Sequence, residues 1–218
     1  MSAARAIGPG PHPDLTPSQV WYCSYGSNTH LDRLAQYILG GRHSGGTRTY
    51  PGCRDRALPS ASVPVELPGV LYFATTSPVW GGGRAFHDPD TAGRTLARAH
   101  LVSASQFADI AAQEMYRQPG TDLDLAEALS RGRASLGDGR YETLVCPGQL
   151  DGVPLLTFTA PWRAADVAPT VPSAPYLRHL AAGLLEAGAW DADAVCAYLA
   201  AGAAGHWSAA AVRALLTG

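Results

Sequence analysis

Two stretches of the 218-residue chain could place a carboxylate and backbone amides where charge is handled. The first is Trp21-Tyr22-Cys23-Ser24-Tyr25-Gly26-Ser27-Asn28, strand-favouring residues that run into a glycine. It is followed by Leu31, Leu34, Ala35 and Ile38, an apolar stripe at helical spacing that Gly40-Gly41 closes. A strand, a turn and a helix start in succession direct free N–H groups to one point, which suits a carboxylate or a developing oxyanion. Gly26 is expected to use backbone angles that a side chain would forbid, and Ser27 or Asn28 to cap the helix. The second stretch is a helix over 106–116, opened by the capping cluster Ser103-Ala104-Ser105. Phe107, Ile110, Ala111 and Glu114 stand at i, i+3, i+4 and i+7, so the face that should turn to the core ends in a carboxylate, with Asp109 and Gln113 pointing elsewhere. A carboxylate on a buried face loses solvation, which moves its pKa up toward the range of a general base. The same spacing also fits a Glu114 that reaches solvent at the helix end or pairs with Arg117.

Other chemistry is less well supplied. Trp80-Gly81-Gly82-Gly83-Arg84-Ala85-Phe86 allows close backbone approach to a ligand, and equally suits a flexible loop. It lacks the lysine and hydroxyl of a phosphate loop and the spacing of a dinucleotide fingerprint. Ser27 or Cys23 as a hydrolase nucleophile has no G-x-S-x-G elbow and no neighbouring histidine in sequence. The seven histidines show no metal-ligand spacing, so no metal is expected, and His100 and His179 read as solvated or hydrogen-bonded bystanders.

The elements that must carry these residues follow from periodicity and punctuation. Residues 1–18 are Pro- and Gly-rich without a repeat and read as a mobile arm, and 19–218 as one domain. Strands are expected at 63–74, interrupted by Pro68-Gly69, at 96–102, 141–146 and 153–159, the last two joined by a loop over 147–152. A short helix fits 122–129. A longer one opens at Ser173-Ala174-Pro175 and stops at Gly188, and residues 189–218 hold two more as a helical extension. Strands early and helices late make an α+β pattern.

Composition narrows the partners. A net charge of −2 with no basic run argues against nucleic acid, and no apolar stretch approaches the roughly 20 residues needed to span a membrane. The first residues lack the apolar segment of a secretory signal, and Cys23, Cys53, Cys146 and Cys196 form no C-x-x-C pair. A cytoplasmic protein with reduced thiols is expected; the oligomeric state is open.

Tyr25-Gly26-Ser27-Asn28 resembles the YGSN signature of the gamma-glutamylcyclotransferase-like family. The segment Ala108 to Glu114 is similar to that family's L-D-x-x-E-G, with Glu114 at the acid/base position. Pro172-Ser173-Ala174-Pro175-Tyr176 is similar to P-S-x-x-Y, which opens a helix and supplies a substrate-contacting tyrosine. Trp80 to Ala85 resembles W-x-G-G-x-A, adding Gly82 and Gly83 to the binding residues. The chain departs from the pattern in four places: Arg98-Ala99-His100-Leu101 stands for a V-W-G strand, Met115 for a glycine, about 20 residues are inserted after Glu114, and the chain runs on beyond Gly188. The resemblance implies a small mixed β-barrel packed by helices and a cofactor-free reaction. In that reaction the α-amine of a small-molecule gamma-glutamyl amide attacks its own gamma-carbonyl and releases 5-oxoproline and a free amine. Glu114 would move the protons, and Tyr25, Gly26, Ser27, Asn28, Gly82, Gly83 and Tyr176 would hold the substrate. A non-catalytic binding protein of the same fold, or an amide hydrolase or acyltransferase, are the alternatives.

Overall fold

The computed structural model describes residues 3–42 and 49–217. In chain order its elements are β1 (Gln19–Ser24), α1 (Leu31–Leu39), β2 (Gly41–Arg42), β3 (Thr49–Tyr50), β4 (Ala61–Pro68), β5 (Val70–Thr76), β6 (Gly83–Asp88), β7 (Arg94–Ser103), α2 (Ala104–Glu114), α3 (Ala126–Arg131), β8 (Arg133–Ser135), β9 (Thr143–Leu150), β10 (Val153–Thr159), α4 (Ala174–Ala187), α5 (Ala192–Gly202) and α6 (Ala209–Thr217). The α+β character is as the sequence implies.

One mixed sheet has the order β4-β7-β1-β10-β9-β8, with β2–β3 and β5–β6 as separate pairs. β1 lies at its centre, parallel to β10 and antiparallel to β7, with Tyr22 opposite both Leu156 and His100. Successive side chains of a strand leave on opposite faces. Trp21, Cys23 and the following Tyr25 therefore enter one core with Leu177, Leu180 and Leu184, while Val20 and Tyr22 enter a second with Leu34, Ile38, Phe107 and Ile110. Burial on both faces is why β1 reads as an unbroken apolar run rather than an alternating one. The β5–β6 hairpin is a separate pair that packs against β7 and β10. There the Thr159 hydroxyl donates to the His87 carbonyl (2.6 Å) and accepts from the His87 amide (3.1 Å), linking β10 to β6 by a side chain where no ladder forms.

Several boundaries differ from expectation: β6 (Gly83–Asp88) is an unexpected strand, α2 is Ala104–Glu114 rather than 106–116, and α3 is Ala126–Arg131 rather than 122–129. β9 and β10 run on to a two-residue turn, Asp151-Gly152, with φ of 54° and 77°. Pro147-Gly148 lies inside β9 because Gly148 (φ 152°) provides an irregularity that lets the ladder resume. The segment before β1, expected to be a mobile arm, hydrogen-bonds to the sheet: the Arg5 amide to Pro64 O (2.9 Å), the Gly8 amide to Gln149 O (2.8 Å) and His12 Nε2 to Gly152 O (2.8 Å). Residues beyond 188 complete the first core through Val195, Cys196, Leu199 and Val212, and Trp190 donates to Glu66 (3.0 Å). All four cysteines are buried and unbridged. No helix among the described residues is long and apolar enough to cross a membrane.

α4 packs on the turn after β1 through a glycine. A Cβ on Gly183 would lie 2.4 Å from Thr29 Oγ1 and 2.8 Å from the His30 amide, closer than atoms can approach. Gly183→Val is therefore expected to lower stability by about 2 kcal/mol and push the helix off the turn. The midpoint of urea unfolding measures this; an unchanged midpoint would mean that the contact is slack.

Candidate active site

The turn after β1 is built by its carbonyls. Ser27–Thr29 form one 3₁₀ turn between β1 and α1. The Gly26 carbonyl accepts from the Thr29 amide (3.1 Å) and hydroxyl (2.9 Å), that of Ser27 from His179 Nε2 (2.9 Å), that of Asn28 from His100 Nε2 (3.1 Å), and that of Thr29 from Arg98 (3.3 Å). In a trans peptide the N–H points opposite to its C=O. Pinning the Gly26 and Ser27 carbonyls therefore turns the Ser27 and Asn28 amides to the other side, a geometry able to receive an anion.

Two expectations for this turn are corrected. Gly26 has φ −105°, not a left-handed angle, and a Cβ there would meet the Tyr176 hydroxyl at 3.7 Å, an ordinary contact. A side chain at Gly26 would thus stand against the Tyr176 hydroxyl without a clash. Neither Ser27 nor Asn28 caps α1. The 3₁₀ turn intervenes, His30 occupies the cap position without a side-chain bond, and the Asn28 side chain is free for another task.

That task joins the two stretches. Asn28 Nδ2 donates to Tyr22 Oη and to Glu114 Oε1, both at 3.2 Å, bringing together residues 86 positions apart. Asn28 is buried, and its Oδ1 has no hydrogen-bond partner among the described residues. Glu114 comes from the end of α2, where Phe107, Ile110 and Ala111 are fully buried and Glu114 half-buried. α2 is nevertheless buried on a wider arc than the stripe. Asp109 and Gln113, expected to point away, are both completely buried. Asp109 accepts from the Arg54 amide (2.8 Å) and guanidinium (3.1 Å) and from the Gly120 amide (3.2 Å), because the 53–57 and 117–122 segments cover that side.

These groups open on a cleft of about 650 Å³ that includes its mouth. Tyr25, Gly26, Ser27, Asn28, Glu114 and Tyr176 all line it. Gly82 and Gly83 do not. A Cβ on them would strike Ser173 N (2.6 Å) and Thr170 O (2.1 Å), so these glycines let the 80–83 loop seat against residues 170–173. Trp80 beside them does line the cleft and stacks on Tyr176, 5.0 Å between ring centres. Cys23 sends its side chain into the core, and burial pushes its thiol far above the usual range, contrary to what a nucleophile needs.

The cleft is also rich in groups that sequence reasoning passed over: Tyr22, Arg33, Tyr37, Tyr50, Arg84, Arg140 and Tyr141. Burial, and then the Glu114 carboxylate, raise the pKa of Tyr22 and Tyr37, so both remain phenols able to donate. Arg33 is buried, donates to Gln36 (3.1 Å) and Tyr50, and stands over the rings of Tyr37 and Tyr50. Burial works against its charge, but Tyr37, Tyr50 and Glu114 outweigh that and raise its pKa. Among the described residues no group of three His, Cys, Asp or Glu is placed to hold a metal ion.

His100 and His179 are positioning residues for the turn rather than bystanders. His100 is fully buried; burial and then Arg98 push its pKa down to about 3, so it stays neutral with Nε2–H on Asn28 O and Nδ1 accepting from Ser62 (2.8 Å). An unfolded histidine takes up a proton near pH 6.5, so between about 6.5 and 3 the unfolded chain binds more protons and stability falls as pH falls. By pH 5 this amounts to roughly 2 kcal/mol. Buried His87, its pKa lowered by burial to about 4, adds a slope of similar size over the same window, so urea unfolding from pH 7 to 5 is expected to show both and His100→Asn to remove about half. An equal slope in the variant would remove His100 as a source.

No family model matches the chain. It is 29% identical over 204 residues to histone deacetylase 5 from Arabidopsis thaliana, an alignment covering 85% of this chain and 31% of the relative. The chain thus spans about a third of the length of the curated relative it matches. Two solved structures are similar. One is an uncharacterized protein from Homo sapiens, 14% identical over 79% of this chain and 82% of that one, with a TM-score of 0.46. The other is a gamma-glutamyl cyclotransferase, 15% identical over 78% and 80%, with a TM-score of 0.42.

Proposed function

We propose that the cleft cyclises a gamma-glutamyl amide. The observation that carries this reading is the meeting of Glu114 with Asn28 beside the turn amides, with Tyr176 across from Gly26. The substrate's α-nitrogen bonds to its gamma-carbonyl carbon, and the bond from that carbon to the leaving nitrogen breaks. The α-ammonium, pKa roughly 8, must first lose a proton. Glu114 takes it and returns a proton to the departing amine, so 5-oxoproline and a free amine form without water. The amides of Ser27 and Asn28 hold the carboxylate or the tetrahedral oxyanion, and Tyr176 donates to it. The nucleophile is already tethered, so a fixed ring-closing pose supplies several kcal/mol.

Reaction in ¹⁸O-water with mass spectrometry of products tests this. Ring closure gives 5-oxoproline with no label, and a substrate acetylated on the α-nitrogen should be inert. Labelled glutamate as the first product would show that water is the nucleophile and that the protein is an amide hydrolase.

A further inference from the structure

The charge around the cleft says what the leaving amine should carry, given the cyclotransferase reading on which this inference rests. Arg33, Arg84 and Arg140 line the cleft, and Glu114 is the one carboxylate among its described lining residues. Nine arginines elsewhere in the chain are in salt bridges, but among the described residues none of these three is. Arg84 donates to the neutral Thr75 hydroxyl (2.9 Å), and Arg140 lies 4.3 Å over the ring of Tyr116. Arg33 is more than nine-tenths buried, and its Nε and that of Arg140 are buried without a hydrogen-bond partner. A buried guanidinium without its full set of acceptors is costly, and it is the side chain best shaped to grip a carboxylate through two parallel bonds.

The gamma-glutamyl half of a substrate cannot balance this charge. At neutral pH its α-ammonium and α-carboxylate cancel, leaving three positive groups against Glu114. We infer that the cleft selects substrates whose leaving amine carries two acidic groups, as an acidic amino acid does, with Arg33 and Arg140 reading them. Arg33 comes from α1 and Arg140 from the segment before β9, so the two line the cleft from different elements.

The test compares gamma-glutamyl-aspartate with gamma-glutamyl-asparagine, equal in size and different by one charge. We expect kcat/KM to favour the aspartate by about tenfold or more, mostly through KM, and the preference to shrink as salt is raised. Arg33→Met should bring the ratio close to one. Because Arg33 is buried, Arg140→Met, at a half-buried site, repeats the measurement where the fold is less at stake. Equal rates for the two dipeptides, or a ratio that survives both substitutions, would overturn the inference. If neither dipeptide is turned over, the cyclotransferase reading fails, and calorimetric binding decides this one separately: tighter binding of the aspartate upholds the anion site, and equal or no binding removes it.

Discussion

Glu114→Gln is expected to lower turnover of a gamma-glutamyl substrate by about 10²- to 10⁴-fold while leaving the fold intact, the range usual for loss of a general base. The two side chains have the same shape, and a carboxamide oxygen can still accept from Asn28 Nδ2, so the link between α2 and the turn survives. What is lost is the ability to take a proton from the substrate ammonium. kcat should fall with little change in KM, because the missing interaction is made on the way to the transition state rather than in the bound substrate. The thermal midpoint should stay within a few degrees. Near-normal turnover would show that another group moves the proton and that Glu114 only supports the turn.

The second large effect is on stability. Asp109→Ala should cost about 3 kcal/mol, because a completely buried carboxylate with three backbone and side-chain donors is removed. The Arg54 side chain is 40% exposed, so little of this is Coulombic; water screens that pair. The main loss is the charge-assisted bonds from the Arg54 and Gly120 amides, which tie two loops to α2. Asp109→Asn should recover less than half, since its amide group turns a donor toward donors. Urea unfolding reads both; a cost below about 1 kcal/mol for alanine would mean that water substitutes for the carboxylate.

How much could be read beforehand differs residue by residue. Leu31 to Ile38 and Phe107 to Glu114 announce helices because one stripe of each faces a core, and a stripe is a local property. Asp191 and Ser173 cap the helices they precede because capping depends on residues three apart. The burial of Asp109 and Gln113 was not legible: their cover comes from the segments at 53–57 and 117–122, and no local pattern records what packs there. His100 gave the same difficulty. Its role depends on β7 lying next to β1, which sets its ring against the Asn28 carbonyl. Arg33, Arg84 and Arg140 are ordinary surface residues by sequence and converge only through three-dimensional topology. A buried arginine one position from an apolar helical stripe was the available hint for Arg33.

The hydrogen bonds of residues 5–12 have a consequence for how copies of the molecule treat one another. β4 is an outer strand of the sheet, and a bare outer strand offers its backbone to any passing chain as a template for pairing. Arg5 occupies part of that template through its bridge to Val65, with Ala4 and Ile7 packed on the core beneath. The other outer strand, β8, is only three residues long and presents little to pair with. A chain lacking residues 1–12 should therefore self-associate in a concentration-dependent way on size-exclusion chromatography, at a concentration where the full chain elutes unchanged. Equal elution of the two would mean that β4 is guarded by its own twist. The amino-terminal segment, short of regular structure itself, thereby acts as a guard against unwanted β-sheet growth.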